Sequence, residues 1–323
     1  MRLINNAGVS LIELMISLAT LLIVSGSAFA VLSYYQKSYL STEQRSDVHS
    51  SIRAAMELMT QEITQAGSLS SPGKTVHSSV TSSTVSQSVS LDPSTATADI
   101  FDNEQLVIDT GSSQEVVTVE SHTSSAITVT LTQDHSAGTS VTARGVFPEG
   151  ILPSSTGTEL RLMGDLNGDG TLVYEWYDCD PATGNLTRTQ NKVSTPAVNS
   201  TQLLLDHIVA NPSGVPCFQY TTTSVRGFTF TTGIAITISA RSRERDPLTG
   251  AFVTVTESLL NISPRNVLAG FEAARLNLLT RLQPTLQNCN NPSNPSLLPC
   301  IPWPSCPRAC HSTSTSRIAF STA

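Results

Sequence analysis

The sequence predicts an α+β chain, a long N-terminal helix followed by a head of antiparallel strands. Three features carry this. Residues 9–32 form an almost wholly apolar run, the length that crosses a bilayer as a helix, which needs roughly 20 such residues. Apolar residues then continue at three- and four-residue steps to Ala66. From Glu104 onward the period changes to two, and short apolar–polar runs are split by Gly- and Ser-containing turns.

The helix comes first. Val48, Ile52, Ala55, Met56, Met59, Ile63 and Ala66 make its apolar stripe, while Glu43, Arg45, Asp47, Arg53, Glu57 and Glu62 are expected largely on other faces. Gly67, followed by Pro72-Gly73, is a stop signal. A helix from Val9 to Ala66 would be roughly 85 Å long, its first half in apolar surroundings and its second packed on the head. Its apolar run holds one charge, Glu13. A carboxylate in hydrocarbon costs at least a few kcal/mol unless it is partnered, so Glu13 asks for a reason.

Residues 68–102 are rich in Ser and Thr, with Pro72 and Pro93, and read as a solvated connector with at most short strands. Strand-like runs follow at 105–109, 115–119, 126–131 and 140–143, a small meander, then at 159–163, 172–177 and 186–189. Two longer strands, 234–238 and 252–256, are joined by a charged loop from Arg241 to Gly250. Residues 267–282 have the spacing of a short amphipathic helix. Beyond Pro284 the chain is rich in Pro, Asn and Ser.

Composition narrows the function. Charged residues make up 13% of the 323 and the net charge is −7, so there is no basic stripe to meet phosphates, which argues against nucleic acid as the main partner. Six Cys behind an apolar N-terminal segment favour an oxidising compartment and disulfides. Cys179 and Cys217 lie in the β region and are a candidate pair; pairing with the tail or free thiols are the alternatives. Cys289, Cys300, Cys306 and Cys310 have ten, five and three intervening residues. That is looser than structural zinc pairs, which favours disulfides of unassigned connectivity over zinc. Cys306-Pro-Arg-Ala-Cys310-His311 is one residue too long for a haem attachment motif.

Asp165-Leu-Asn167-Gly-Asp169-Gly170-Thr171 is the sharpest local motif. Oxygen ligands at alternate positions before a Gly match the first half of a calcium loop, with Thr171 adding its carbonyl. The twelfth position is Trp176 rather than Glu, so the bidentate ligand is missing. The competing reading is a polar turn between strands, where the same residues are expected. Catalytic motifs are absent: there is no H-E-x-x-H, G-x-S-x-G, P-loop or G-x-G-x-x-G, and the chain is read as a non-enzyme. Asp206-His207 does not suggest a dyad, because neighbours on a strand or helix point apart.

The short segment Met1–Gly8 with its single Arg2, followed by Val9-Ser-Leu-Ile-Glu13 and the apolar run, resembles the class III leader of type IV pilins and pseudopilins. Val173-Tyr-Glu-Trp-Tyr, Gly184-Asn-Leu-Thr-Arg188, Cys217-Phe-Gln-Tyr220 and Ser263-Pro-Arg-Asn266 resemble the PilW-type minor pilins. The resemblance implies cleavage by prepilin peptidase after Gly8 and methylation of Val9, where most members have Phe. Glu13 then becomes the fifth residue, paired during assembly with a neighbouring subunit's amine. It implies a pilin-like fold and division: leader 1–8, helix 9–67, connector 68–102, β-rich head 103–265, short helix and Cys/Pro-rich tail 266–323. It implies other major and minor pilins, and a tip adhesin, as partners, and a single-pass inner-membrane protein whose periplasmic head later reaches the pilus surface. A type II secretion pseudopilin shares these features. A membrane-tethered adhesin or binding module, an ordinary signal peptide cut after Ala28-Phe29-Ala30, and a plain anchor with an incidental Glu13 are the other readings.

Overall fold

A computed structural model describes residues 10–69, 73–93, 100–192 and 195–283, without the side chains of 195–199. Gly8, Val9, Cys289, Cys300, Cys306 and Cys310 lie outside the described residues.

Helix α1 (Leu11–Gln65) is a single element of 55 residues. Only its second half is packed: Val48, Ile52, Ala55, Met56, Met59, Glu62 and Ile63 are buried. Ala66 N–H closes the last turn on Glu62 O and Ile63 O. Gly67 then takes φ +80°, a left-handed conformation that favours glycine. Its N–H donates to Met163 O at 2.8 Å and its O accepts Phe147 N–H at 3.0 Å. The helix therefore stops against the head.

The first β unit contains β1 (Lys74–Val76), β2 (Gln87–Asp92), β3 (Gln105–Ile108), β4 (Glu115–Thr118), β5 (Ser121–His122), β6 (Ala126–Val129) and β7 (Ser140–Ala143). They form one seven-stranded antiparallel sheet in the order β4-β3-β7-β1-β2-β6-β5. Only Val119 and Glu120 separate β4 from β5. Val119 N–H bonds Glu104 O on the β3 side, while Glu120 N–H bonds Thr128 O on β6. The two ends of the sheet are thus joined through one continuous segment, and it curls into a small barrel. Val76, Val89, Leu91, Leu106, Ile108, Val117, Ile127, Val129 and Val141 fill it. The Ser/Thr-rich stretch expected as a connector supplies β1 and β2, two inner strands, because its few apolar residues alternate onto the inner face.

The second unit holds two further sheets. One is β11-β10-β9-β8, from β8 (Glu159–Gly164), β9 (Val173–Asp180), β10 (Asn185–Lys192) and β11 (Thr195–Leu205). The other is built on β14 (Phe228–Arg245), which pairs with β12 (Ile208–Val209), β13 (Phe218–Val225) and β15 (Phe252–Ile262). β14 carries strand geometry through Arg245, so half of the expected charged loop is strand. Helix α2 (Arg265–Arg275) follows, shorter than expected. The buried stripe of α1 shares one core with Leu160, Leu162, Tyr177, Leu186, Phe218, Ile236 and Ile238. A long N-terminal apolar helix on an antiparallel β head is the α+β arrangement the periodicity predicts. The barrel's apolar interior is separate from the core that α1 shares, and smaller clusters around Phe147 and around Phe230 lie beside them.

Candidate functional site

The N-terminal half of α1 is where the sequence places function. Ile12, Met15, Ile16, Leu18, Leu21, Leu22, Ile23 and Phe29 are each more than half exposed. No part of the most apolar window is buried in the protein. An apolar stripe facing one partner would show one covered side; exposure all round fits a lipid or filament environment. Three of its hydroxyls are satisfied internally: Ser17 Oγ donates to Glu13 O at 2.6 Å, Thr20 Oγ1 to Ile16 O at 3.1 Å and Ser27 Oγ to Val24 O at 2.8 Å. In hydrocarbon, where no water can serve, this removes the cost of unpaired donors. Glu13 lies in the first helical turn, where the dipole favours an anion. Tyr34, Tyr35 and Tyr39 project at the end of the apolar run, the place of an interfacial aromatic belt. The helix is thus long and apolar enough for a single-pass anchor.

The other half of α1 carries a buried polar cluster that sequence reasoning missed. Val48, Ile52, Ala55, Met59, Glu62 and Ala66 step by four and three residues, so Glu62 falls in the apolar stripe, not on another face as expected. On β9 the period of two turns Val173, Glu175, Tyr177 and Cys179 to the same side, and in the antiparallel register Arg188 of β10 stands opposite Tyr177. Arg188 reaches Glu62 Oε1 at 2.5 Å and Glu175 Oε2 at 2.6 Å through Nη2, and its Nε reaches Glu62 Oε2 at 3.2 Å. Tyr177 Oη donates to Glu62 Oε2, and Gln190 Nε2 donates to Glu175 Oε2 at 3.2 Å. One guanidinium faces two carboxyls here. Burial first, then the Glu62 carboxyl, push Glu175 up to about 9, so it keeps its proton at neutral pH. Its carboxyls are buried, Arg188 is partly exposed, and the cluster fastens α1 to the sheet.

A disulfide joins Cys179 of β9 to Cys217, which leads into β13, and so ties the two sheets together. Asp165 is buried at the end of β8, and its oxygens accept the N–H groups of Asp169 (3.1 Å) and Gly170 (3.0 Å); Asp169 Oδ1 accepts Thr171 N–H at 2.8 Å. Asn167 and Asp169 are exposed. The loop closes on its own backbone in the manner of an Asx turn. Among the described residues no group of three or more His, Cys, Asp or Glu is placed to hold a metal ion.

Asp206 and His207 do come together, contrary to the expectation from strand geometry. His207 takes φ +57°, which turns the chain sharply between β11 and β12 and brings Nδ1 within 3.2 Å of Asp206 Oδ1. Arg243 also binds Asp206, at 2.7 Å. The groove beside them, of about 590 Å³, is lined by Thr183, Asn185 and Arg241 among others. In the barrel, buried His135 lies 2.6 Å from Glu115 through Nε2 and 3.4 Å from Asp109 through Nδ1. Burial raises the Glu115 carboxyl, but hydrogen bonds from Thr132, His135 and Gln133 outweigh it and hold the group below its usual range.

No protein-family model, curated protein or solved structure matches this chain.

Proposed function

We propose that the chain is a minor pilin-like subunit of a type IV pilus, most like the PilW type. It is processed by prepilin peptidase between Gly8 and Val9, held in the inner membrane by α1, and then packed through α1 against other pilins to prime assembly or occupy the filament tip. The observation that carries this is one uninterrupted helix with two environments. Its first half is apolar and exposed on every side with Glu13 in the first turn; its second half is locked into a β head by the Glu62–Arg188–Glu175 cluster. A helix so divided can change its surroundings from lipid to neighbouring helices without disturbing the head.

Glu13 supplies the only charge in the apolar run, and a new α-amino group at Val9 would offset it across a subunit contact. Mass spectrometry of the mature N-terminus tests processing: a methylated Val9 is expected, and a start at Val31 overturns the proposal. Glu13→Ala tests assembly. The variant should be cleaved normally but lost from sheared filaments, and wild-type incorporation would leave a tethered surface protein as the better reading.

A further inference from the structure

The β14–β15 hairpin runs along α1 toward its apolar half. Glu257 of β15 binds His49 at 2.6 Å and Arg53 at 3.5 Å. Farther along, Ala240–Glu244 and Gln44, Asp47 and Val48 of α1 line one groove of about 470 Å³. At the hairpin's end, Asp246 lies near enough to Ser41 for that hydroxyl, after the Leu248 N–H, to help hold its carboxyl below the usual range. The neighbours on the helix thus fall from 53 to 41 as the hairpin approaches its turn, so its tip points toward the exposed apolar segment. Ser41 lies nine residues beyond Leu32, roughly 13 Å along the axis. The headgroup layer accounts for about 5–7 Å of that distance, and an ordinary helix tilt of about 20° shortens the gap.

The chemistry of the tip suits that position. Arg241, Arg243 and Arg245 are all exposed on the last residues of β14, where an irregularity in the β14–β15 register interrupts strict alternation. Arg243 is paired with Asp206 at 2.7 Å, a contact it must exchange for a phosphate. Arg241 and Arg245 stand over the Phe252 ring at 4.9 and 5.0 Å, and Leu248 at the turn is 42% exposed. Asp246 is turned inward, its carboxylate taken by Leu248 N–H and Thr249 Oγ1 at 2.9 Å. Lys37 and Arg45 add positive charge at this level, and Glu43, Asp47 and Glu244 are the exposed acids there. With signs so mixed, an attraction must come from individual guanidinium–phosphate hydrogen bonds, which arginine forms in pairs, rather than from net charge.

We propose that the tip of the β14–β15 hairpin is a lipid-contact surface, on which Arg241, Arg243 and Arg245 meet phospholipid phosphates and Leu248 enters the headgroup layer. It rests on the membrane-anchor part of the reading above and goes beyond it, because it makes the head itself lie on the bilayer in a fixed orientation before assembly. The test uses the full chain in vesicles of phosphatidylethanolamine and phosphatidylglycerol, with Leu248→benzoylphenylalanine as a photoreactive probe and Val85→benzoylphenylalanine, on the exposed barrel surface, as the control. Irradiation should give a phospholipid adduct by mass at 248 and none at 85. Combining Arg241→Gln, Arg243→Gln and Arg245→Gln should cut that adduct severalfold, with circular dichroism unchanged. A chain that floats with vesicles yet gives no adduct at 248, or a protein–protein adduct in its place, overturns the proposal, as does an adduct indifferent to the three arginines. A chain that does not float overturns the membrane anchor itself, and the two failures are told apart in the same experiment.

Discussion

Glu62, Glu175, Tyr177 and Arg188 show how a few polar groups can set the geometry of an apolar interface. All but Arg188 are nearly inaccessible, and each hydrogen bond among them lies between the helix and the sheet or between adjacent strands. Arg188→Met would leave the Glu62 carboxylate without its cation in a buried site, and a loss of about 3–5 kcal/mol is expected from denaturant melts. The proton on Glu175 adds a pH dependence. Its folded pKa, raised to about 9 from the ordinary 4.5, lies above that of the unfolded chain. Its contribution is therefore complete at acid pH and declines as pH rises through the interval between those values, because only the folded state keeps the proton. Glu175→Gln should flatten that decline, and an unchanged slope would place the proton elsewhere.

At the scale of elements, the end of α1 is fixed by backbone contact. Gly67 and Gly150 meet so closely that a Cβ on Gly150 would lie 2.3 Å from Gly67 N and 2.5 Å from Gly67 Cα. Neither atom belongs to a side chain that could swing aside. Gly150→Ala must therefore push the helix terminus away from Met163 and Phe147 and strain the hydrogen bonds Gly67 makes to them. We expect a loss of about 1–3 kcal/mol, on the scale of overpacking a tight contact, with faster amide exchange at residues 62–67. Gly150 has no left-handed φ, so its Ala variant reads collision alone, whereas Gly73→Ala, at φ +71° with nothing within 4 Å of the Cβ position, reads backbone strain alone.

For the whole molecule, a barrel with its own core implies a response of its own. The barrel has its own apolar interior and, among the described residues, no strand pairing with the other sheets. Its links to the rest include Gln283, which bonds the Gln105 backbone and Arg144 O, and the Phe101–Phe147 contact. Residues 73–144 should fold alone, which a dispersed amide spectrum of the excised barrel would show and a collapsed, random-coil spectrum would refute. The two units should also respond oppositely to pH. In the barrel, Glu115 is held below its usual range, so its contribution is present at neutral pH and is lost as pH falls through its folded pKa. The Glu175 unit weakens in the other direction, as pH rises. Acid should therefore loosen the barrel first.

Residues 9–66 announced one helix because period and composition are local properties, and every side chain needed for the inference lies within a few turns of the next. The alternating runs at 105–108, 115–118, 126–129 and 140–143 were legible for the same reason. Glu13 was visible because one charge stands out against an apolar run, and its role rests on that contrast. Other features belonged to the tertiary structure. A barrel closes only when β4 and β5 meet partners on opposite sides, which no local pattern encodes. Glu62 looked like a solvent-facing charge because its partners, Tyr177 and Arg188, are 115 and 126 residues away. The sequence alone determined that this chain has an exposed apolar helix carrying a single carboxylate. Only the tertiary structure decided how that helix is held, because burial and long-range register bring together charges that the sequence keeps apart.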